Sequence, residues 1–496
     1  MKKFFTALIV LSSVLFSNST KEQLLVLRLN MSQEFHQKDP RKAGDLASNS
    51  IHFQLHEGLM KMSPDHKEAI GGIAKSYELD STQTIYIFHL DERYYSNGEK
   101  ITAYDFEKSW KELLNPNFNC PNVHLFFPIS NAKEAKLGLC SIETVGIQAL
   151  NDKTLKITLK HPFKPFLEAL CFVTFSAFKN ESIYSGPFCI DHFQLHHLLK
   201  LVKNPYYPHE NKEKTTIEIS FIKDEMTAFN LFEKGQLDLI GTPFTHIPKE
   251  AIEYFKDKHH LQTQPTLGVC YLLLNKNKSS IFDENFILNL YHQIDRKSLA
   301  EDVISKEGKP QFYAIPDEIL NEHLLIKKPT SELIKKPIKR LRLIYPQVAN
   351  YPKIAQFIEQ EFQNKFQIQL NLQGMELKVF QQTVAKGDFD LALSTIFAQY
   401  RDPTAFLDRF SDPNDPKNPL AFDHKEFQKK LIDANTSFDP SQRAQLLQEA
   451  EKILIEEGGL IPLFQVNTKY CIHTNIHEIR INASGGFNFN NLSKKN

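Results

Sequence analysis

Apolar and polar residues alternate along several short stretches of the chain, and each such stretch reads as a strand with one buried face. TIYIFHL at 84 to 90 is one of them. The segment DERYYSNGEK follows, with Asn97-Gly98, a pair that tolerates positive φ in a tight turn. Thr102 and Asp105 then form a helix-start signal, after which Phe106, Trp110, Leu113 and Leu114 recur at helical spacing. The unit predicts strand, turn, helix.

KTLKITLKHPF (153 to 163) and TTIEISFI (215 to 222) alternate in the same way. EMTAFNLFEKG (225 to 235) has the helical period and stops at Gly235, where LDLIGTPF resumes extended structure. The C-terminal half repeats this rhythm: strand LRLIYP (341 to 346), helix YPKIAQFIEQEFQNKF, strand QIQLNLQ, a helix near Leu377 to Ala385, and strand FDLALSTIF. A βαβ order of this kind predicts two separate α/β lobes. Asp439-Pro440 opens a later helix in which Leu446, Leu447, Ala450, Ile453 and Leu454 share a face, and Gly458-Gly459 ends it. Residues 188 to 202 read as extended.

At 496 residues the chain is too long for one compact domain. Lys+Arg and Asp+Glu are both 59 and no long like-charge block interrupts them, so no nucleic acid or other polyanionic partner is indicated. Hydrophobic content of 41% with 24% charged residues is that of a globular protein. MKKFFTALIVLSSVLFSNST carries two lysines, an apolar run from Phe4 to Phe16, then Ser17-Asn18-Ser19 in a small-x-small arrangement. Residues 1–19 are therefore expected to be a cleaved export signal, since the run is shorter than the ~20 residues that span a bilayer. With no cysteine near that junction, a soluble periplasmic protein is expected rather than a lipid-anchored one. An oxidising compartment permits disulfides among Cys120, Cys140, Cys171, Cys189, Cys270 and Cys471, and a Cys120–Cys140 bond would close a short loop. Isolated buried thiols are the alternative.

G-x-S-x-G, H-E-x-x-H, a Walker loop and a dinucleotide fingerprint are all missing from the sequence. Ser130 to Lys133 matches S-x-x-K but has no supporting K-T-G. His192, His196 and His197 have no acidic or cysteine companion beyond Asp191, and on an extended chain His192 and His196 would stand about 13 Å apart. Neither metal nor cofactor is implied. Exported α/β lobes without catalytic groups suggest a cleft that binds and releases a small molecule.

LHEGLMKM, GGIAKSYEL and TIYIFHLDERYYSNGEKITAYDFEKSW, in that order, resemble the signature of the oligopeptide-binding protein family of ABC importers. SGPFCI, NPYYP, FEKGQLDL, LLNKNKSSIFDENFILNLYHQIDRKSL and KGDFDLALSTIFAQYRDPTAFL continue the likeness over nearly all of the mature chain. The resemblance implies an α/β fold of the type II periplasmic binding protein kind, with three lobes and a hinged cleft. Lobe I would comprise 20–69, 182–268 and 486–496, lobe II 70–181 and lobe III 269–485. It also implies a monomer that captures an oligopeptide or peptide-like ligand, pairs its main chain with protein main chain, and delivers it to an inner-membrane ABC permease.

The family's site positions fall here on Glu57, Tyr271, Leu377, Leu393, Thr395, Phe397, Gln399 and Phe487. Several depart from the family pattern. Gln399 stands where relatives place an aspartate that pairs with the peptide's α-amine, Leu377 and Ile396 replace tryptophans, and Leu393 replaces an arginine. Phe397 and Gly268 replace a cysteine pair, which removes the pocket disulfide. Glu57 and Tyr271 are retained, and Phe487 lies in the aromatic segment Gly486 to Phe489 where the family has tyrosine. A neutral amide cannot supply a carboxylate's charge, and the loss of one charge-assisted bond is worth about 1.5 to 3 kcal/mol. Arg401 and Asp402 are expected to pair with each other at the surface. An N-blocked peptide, a cell-wall peptide or a non-peptide solute remains open as ligand, and a secreted enzyme on this scaffold is the rival from another class.

Overall fold

The computed structural model describes residues 25–494 apart from 64–67, 210–213, 249–250, 253, 255–260, 279–281, 305–306, 332–339, 414, 416–417, 474–475, 478, 483–484 and 491. The expected signal segment, 1–19, lies outside the described residues. Two strands organise the molecule: Leu261–Leu274 and Leu460–Ile472, of 14 and 13 residues, pair antiparallel at the centre of a large mixed sheet. At the usual rise, the longer spans roughly 45 Å, enough to run from one half of the molecule into the other.

On one side of this pair the sheet continues through Leu239–Gly241, Leu25–Met31, Thr215–Phe221, Leu198–Lys203 and Phe188–Gln194. On the other side come Leu391–Phe397, Leu341–Pro346 and Leu370–Met375. Leu25–Met31 runs parallel to Thr215–Phe221, and Leu341–Pro346 is parallel to both of its neighbours, as a βαβ order requires. The helices Glu225–Glu233, Tyr351–Glu361 and Leu377–Ala385 supply the crossovers. Gly235, at φ +68, takes the left-handed conformation just after the first of these, where a side chain would be strained.

A separate antiparallel sheet is built from Ala74–Leu79, Ile85–Leu90, Thr154–Thr158 and Ile147–Asn151. The βαβ rhythm therefore does not extend through 84 to 163: Ile85–Leu90 pairs antiparallel with Thr154–Thr158. Against this sheet packs the helix Ala103–Leu113, opened by the Thr102/Asp105 capping box. Its Trp110 is fully buried, with Phe106, Phe126 and Phe175 edge-on at 5.7, 5.6 and 5.3 Å.

The segment 188 to 202 is a hairpin rather than one extended run, because the chain reverses at Leu195 to His197, with His196 at φ +59. The strand expected over QIQLNLQ begins later, at Leu370, because Gln367 is spent on the helix end, where it takes the left-handed conformation at φ +58. Cys120 and Cys140 are not joined by a disulfide, and no disulfide forms among the described cysteines. No described helix is long and apolar enough to cross a membrane.

Candidate functional site

The pairing of the two long strands shifts register twice near its middle, between Pro265 and Val269 and again between Cys270 and Tyr271. Pro265 faces Asn467 and Val269 faces Gln465, so Thr266 to Gly268 bulge opposite a single residue. Thr266 stays attached on both sides: its hydroxyl donates to the Val466 carbonyl at 2.8 Å, and its own carbonyl accepts from Gln465 Nε2 at 2.7 Å. A bulge held this way bends the ribbon where it passes from one half of the sheet to the other, and a cavity of about 180 Å³ opens beside it.

Five chain segments line the cavity. Leu391–Phe397 contributes Thr395 and Phe397, neighbours on one face because strand side chains alternate. The start of helix Tyr351–Glu361 brings Asn350 and Tyr351, and the second long strand brings Phe464 and Asn467. Thr242 and His246, which follow Leu239–Gly241, and Glu307, just ahead of the short strand Gly308–Pro310, complete the polar lining.

Phe397 is directly opposite Gly268 in the ladder, and a Cβ built on Gly268 would come within 2.4 Å of its ring. The positions of the absent disulfide are thus occupied by an aromatic ring lying over a glycine, a cross-strand arrangement that needs the missing side chain. The Tyr351 hydroxyl donates to Thr395 Oγ1 at 2.7 Å, and burial raises its pKa. Glu307 Oε2 accepts from Asn350 Nδ2 at 2.5 Å, and its main-chain carbonyl accepts from the Asn467 N–H at 2.9 Å. Burial raises the Glu307 carboxyl above the usual range, and the attraction of His246, Lys469 and Lys353 does not offset it. No motif in the sequence marks Glu307, Asn350, Tyr351 or His246, which come from loops and a helix start far apart along the chain.

The other positions singled out from the sequence do not line this cavity. Gln399 is half-buried just beyond the end of Leu391–Phe397. Leu393 is fully buried opposite Leu272, and Leu377 is half-buried at the first turn of its helix. Tyr271 is fully buried and donates to the Ala314 carbonyl at 2.5 Å, which uses its hydroxyl inside the core. Phe487 stacks on Phe244 at 5.5 Å and on Phe489 at 5.9 Å in the core of the N-terminal half of the sheet. Glu57 accepts from the Tyr207 hydroxyl at 3.2 Å, with Lys61 and Arg93 at 3.6 and 3.8 Å; burial still raises its pKa.

Arg401 and Asp402 do not pair with each other. Asp402 binds Arg443 through both oxygens, at 2.8 and 2.9 Å, and accepts from the Thr404 amide and hydroxyl at 3.0 and 2.7 Å, capping the next helix. The Arg401 amide donates to Glu168 at 2.9 Å, and its guanidinium donates to the Glu318 carbonyl at 2.8 Å. Tyr400 meets Phe163 edge-on at 5.9 Å, and Lys133, of the S-x-x-K match, pairs with Asp412. Short-range neighbours lose here to tertiary partners: this turn fastens the 163 to 168 segment to the C-terminal half.

A family model described as bacterial extracellular solute-binding proteins, family 5 Middle, matches residues 68–418. The chain belongs to this family. Among curated relatives, the oligopeptide-binding protein OppA of Bacillus subtilis is 27% identical over 94% of this chain and 92% of its own length. A probable deoxycholate-binding periplasmic protein of Escherichia coli, YgiS, is 26% identical over 88% of each. A crystal structure of the periplasmic oligopeptide-binding protein OppAIV of Borrelia burgdorferi superposes with a TM-score of 0.83, covering 95% of this chain and all 100% of that one, at 24% identity. The α/β architecture is that of the type II periplasmic binding proteins, and this solute-binding protein shares its family with binders rather than enzymes.

Proposed function

We propose that this solute-binding protein captures a peptide or peptide-like solute in the cavity beside the strand bulge and hands it to an inner-membrane ABC permease. One observation carries the reading. Leu391–Phe397 is paired along its whole length with Leu261–Leu274, but on its other side Leu341–Pro346 pairs only with Leu391 and Ala392. From Leu393 to Phe397 that edge has no strand partner among the described residues, and Thr395 and Phe397 open from it into the cavity. An extended peptide can complete such an edge with main-chain hydrogen bonds, gaining affinity without reading side chains.

The three-lobe division drawn from the sequence belongs to the same reading. The four-stranded sheet lies within 70–181, and the boundary at 268/269 coincides with the bulge, a natural place for a hinge. Gln399, two residues beyond Phe397, would sit at the rim, and Glu57 would face the ligand only if the cleft is longer than the cavity described above.

Apolar lining by Ile304, Ile354, Phe397, Phe464 and Val466 favours one second reading, a non-peptide apolar solute, the kind named for the E. coli relative. Native mass spectrometry of the protein purified from periplasm separates the two. A heterogeneous set of short peptide masses is expected; a single non-peptide mass, with no peptide retained after exchange against a peptide mixture, would refute the peptide reading.

A further inference from the structure

The cavity's polar lining is unequal in charge. Glu307 is the one carboxylate among the described lining residues, where it is joined by two amides, two hydroxyl residues besides Tyr351's phenol, and the imidazole of His246. One of its oxygens is held by Asn350; Oε1 has no donor among the described residues, and no ion pair with a described residue satisfies it. The carboxylate is therefore oriented but incompletely paired. Its nearby cations act through space only, and the raised pKa means that they do not replace the water lost on burial. A solute bringing a hydrogen-bonding cation would supply what the protein does not.

We propose that Glu307 is the specificity-determining anchor of the cavity, accepting through Oε1 the ammonium of the bound solute, either a free α-amine or a lysine side chain. This rests on the peptide reading above, and the two can fail separately. Position 307 lies on a different element from Gln399, so a neutral amide at 399 does not leave the cavity without a negative group. Asn350 is a positioning residue: its bond to Oε2 fixes the carboxylate in the cavity wall.

The test uses ligand-stripped, refolded full-length protein and a random-sequence mixture of short peptides in three forms: free at the amino end, N-acetylated with lysine, and N-acetylated with norleucine in its place. Retained peptides are quantified by mass spectrometry. Wild type is expected to favour one or both ammonium-bearing forms by about ten- to a hundredfold, the range of one charge-assisted bond. Glu307→Gln, which preserves an acceptor for Asn350, should abolish that preference while still retaining N-acetyl-norleucine peptides, and Glu307→Asp should keep part of it. If Glu307→Gln melts far below wild type, Asn350→Ala takes its place and should weaken the preference. An ammonium preference unchanged in Glu307→Gln, or absent from a wild type that binds all three forms alike, overturns the anchor and leaves the peptide reading standing. Retention of no form by wild type overturns both.

Discussion

His52 and His56 make the acid stability of this protein calculable. His52 is fully buried on the helix Leu46–Leu55; one ring nitrogen donates to the Gln37 carbonyl at 2.9 Å, and its Nδ1 has no partner among the described residues. Burial pushes its pKa down to about 4, despite the Gln37 bond and the pull of Asp39 and Asp45. Both nitrogens of His56 are buried without partners among the described residues, and burial, with His52 and Arg41 nearby, lowers its pKa in the same direction. A histidine with a depressed folded pKa contributes stability that is complete above its unfolded value and is lost as pH falls, because the unfolded ring takes up a proton that the folded one refuses. From an ordinary value near 6.5 to about 4, linkage assigns His52 alone about 2 kcal/mol of lost stability between about pH 7 and pH 5.

His52→Phe isolates this contribution. A phenyl ring suits the site, where Phe35 lies 5.1 Å away, but it forfeits the bond to Gln37, worth about 1 kcal/mol. The variant should therefore be less stable than wild type at pH 7, and its deficit should shrink or reverse by about 2 kcal/mol at pH 5. Urea unfolding followed by the fluorescence of Trp110, the chain's one tryptophan, measures both proteins at the two pH values. An equal stability difference at the two pH values would show that His52 is not held neutral, and the reasoning would fail.

Gly268→Ala should cost about 1–3 kcal/mol in urea unfolding and weaken ligand binding, because its Cβ forces the Phe397 ring toward the cavity; unchanged stability and affinity would contradict this packing. Asp402→Ala strips both the Arg443 pair and the helix cap, and a loss of about 2–4 kcal/mol is expected by the same assay, against less than about 0.5 kcal/mol for an ordinary surface change. Gln399→Asp should tighten binding of a free-amine peptide about tenfold by calorimetry if Gln399 stands at the rim of the site, and an unaltered affinity would remove it from there.

Local pattern was sufficient for many of the elements. The capping box at Thr102, the stop at Gly235 and the helix from Asp439-Pro440 to Gly459 depend on residues within a few positions of one another, so the chain alone determined them. Ordered family blocks likewise made the architecture legible, since they span nearly the whole chain. Pairing partners were a different matter. Whether Ile85–Leu90 joins a parallel or an antiparallel sheet, and whether Asp402 chooses Arg401 or Arg443, depends on which distant surfaces meet.

The candidate site divides along the same line. Thr395 and Phe397 could be named because the family resemblance covers their strand, and strand period then sets their shared face. Glu307, Asn350 and Tyr351 could not, since they meet only when the βα crossovers and the bulged central ribbon bring them together. Short-range periodicity thus determined which segments are strands and helices, where the energy is local. Only tertiary packing decided which carboxylate faces the cavity and which is tied to an arginine, because desolvation and charge pairing act between residues that the chain itself keeps far apart.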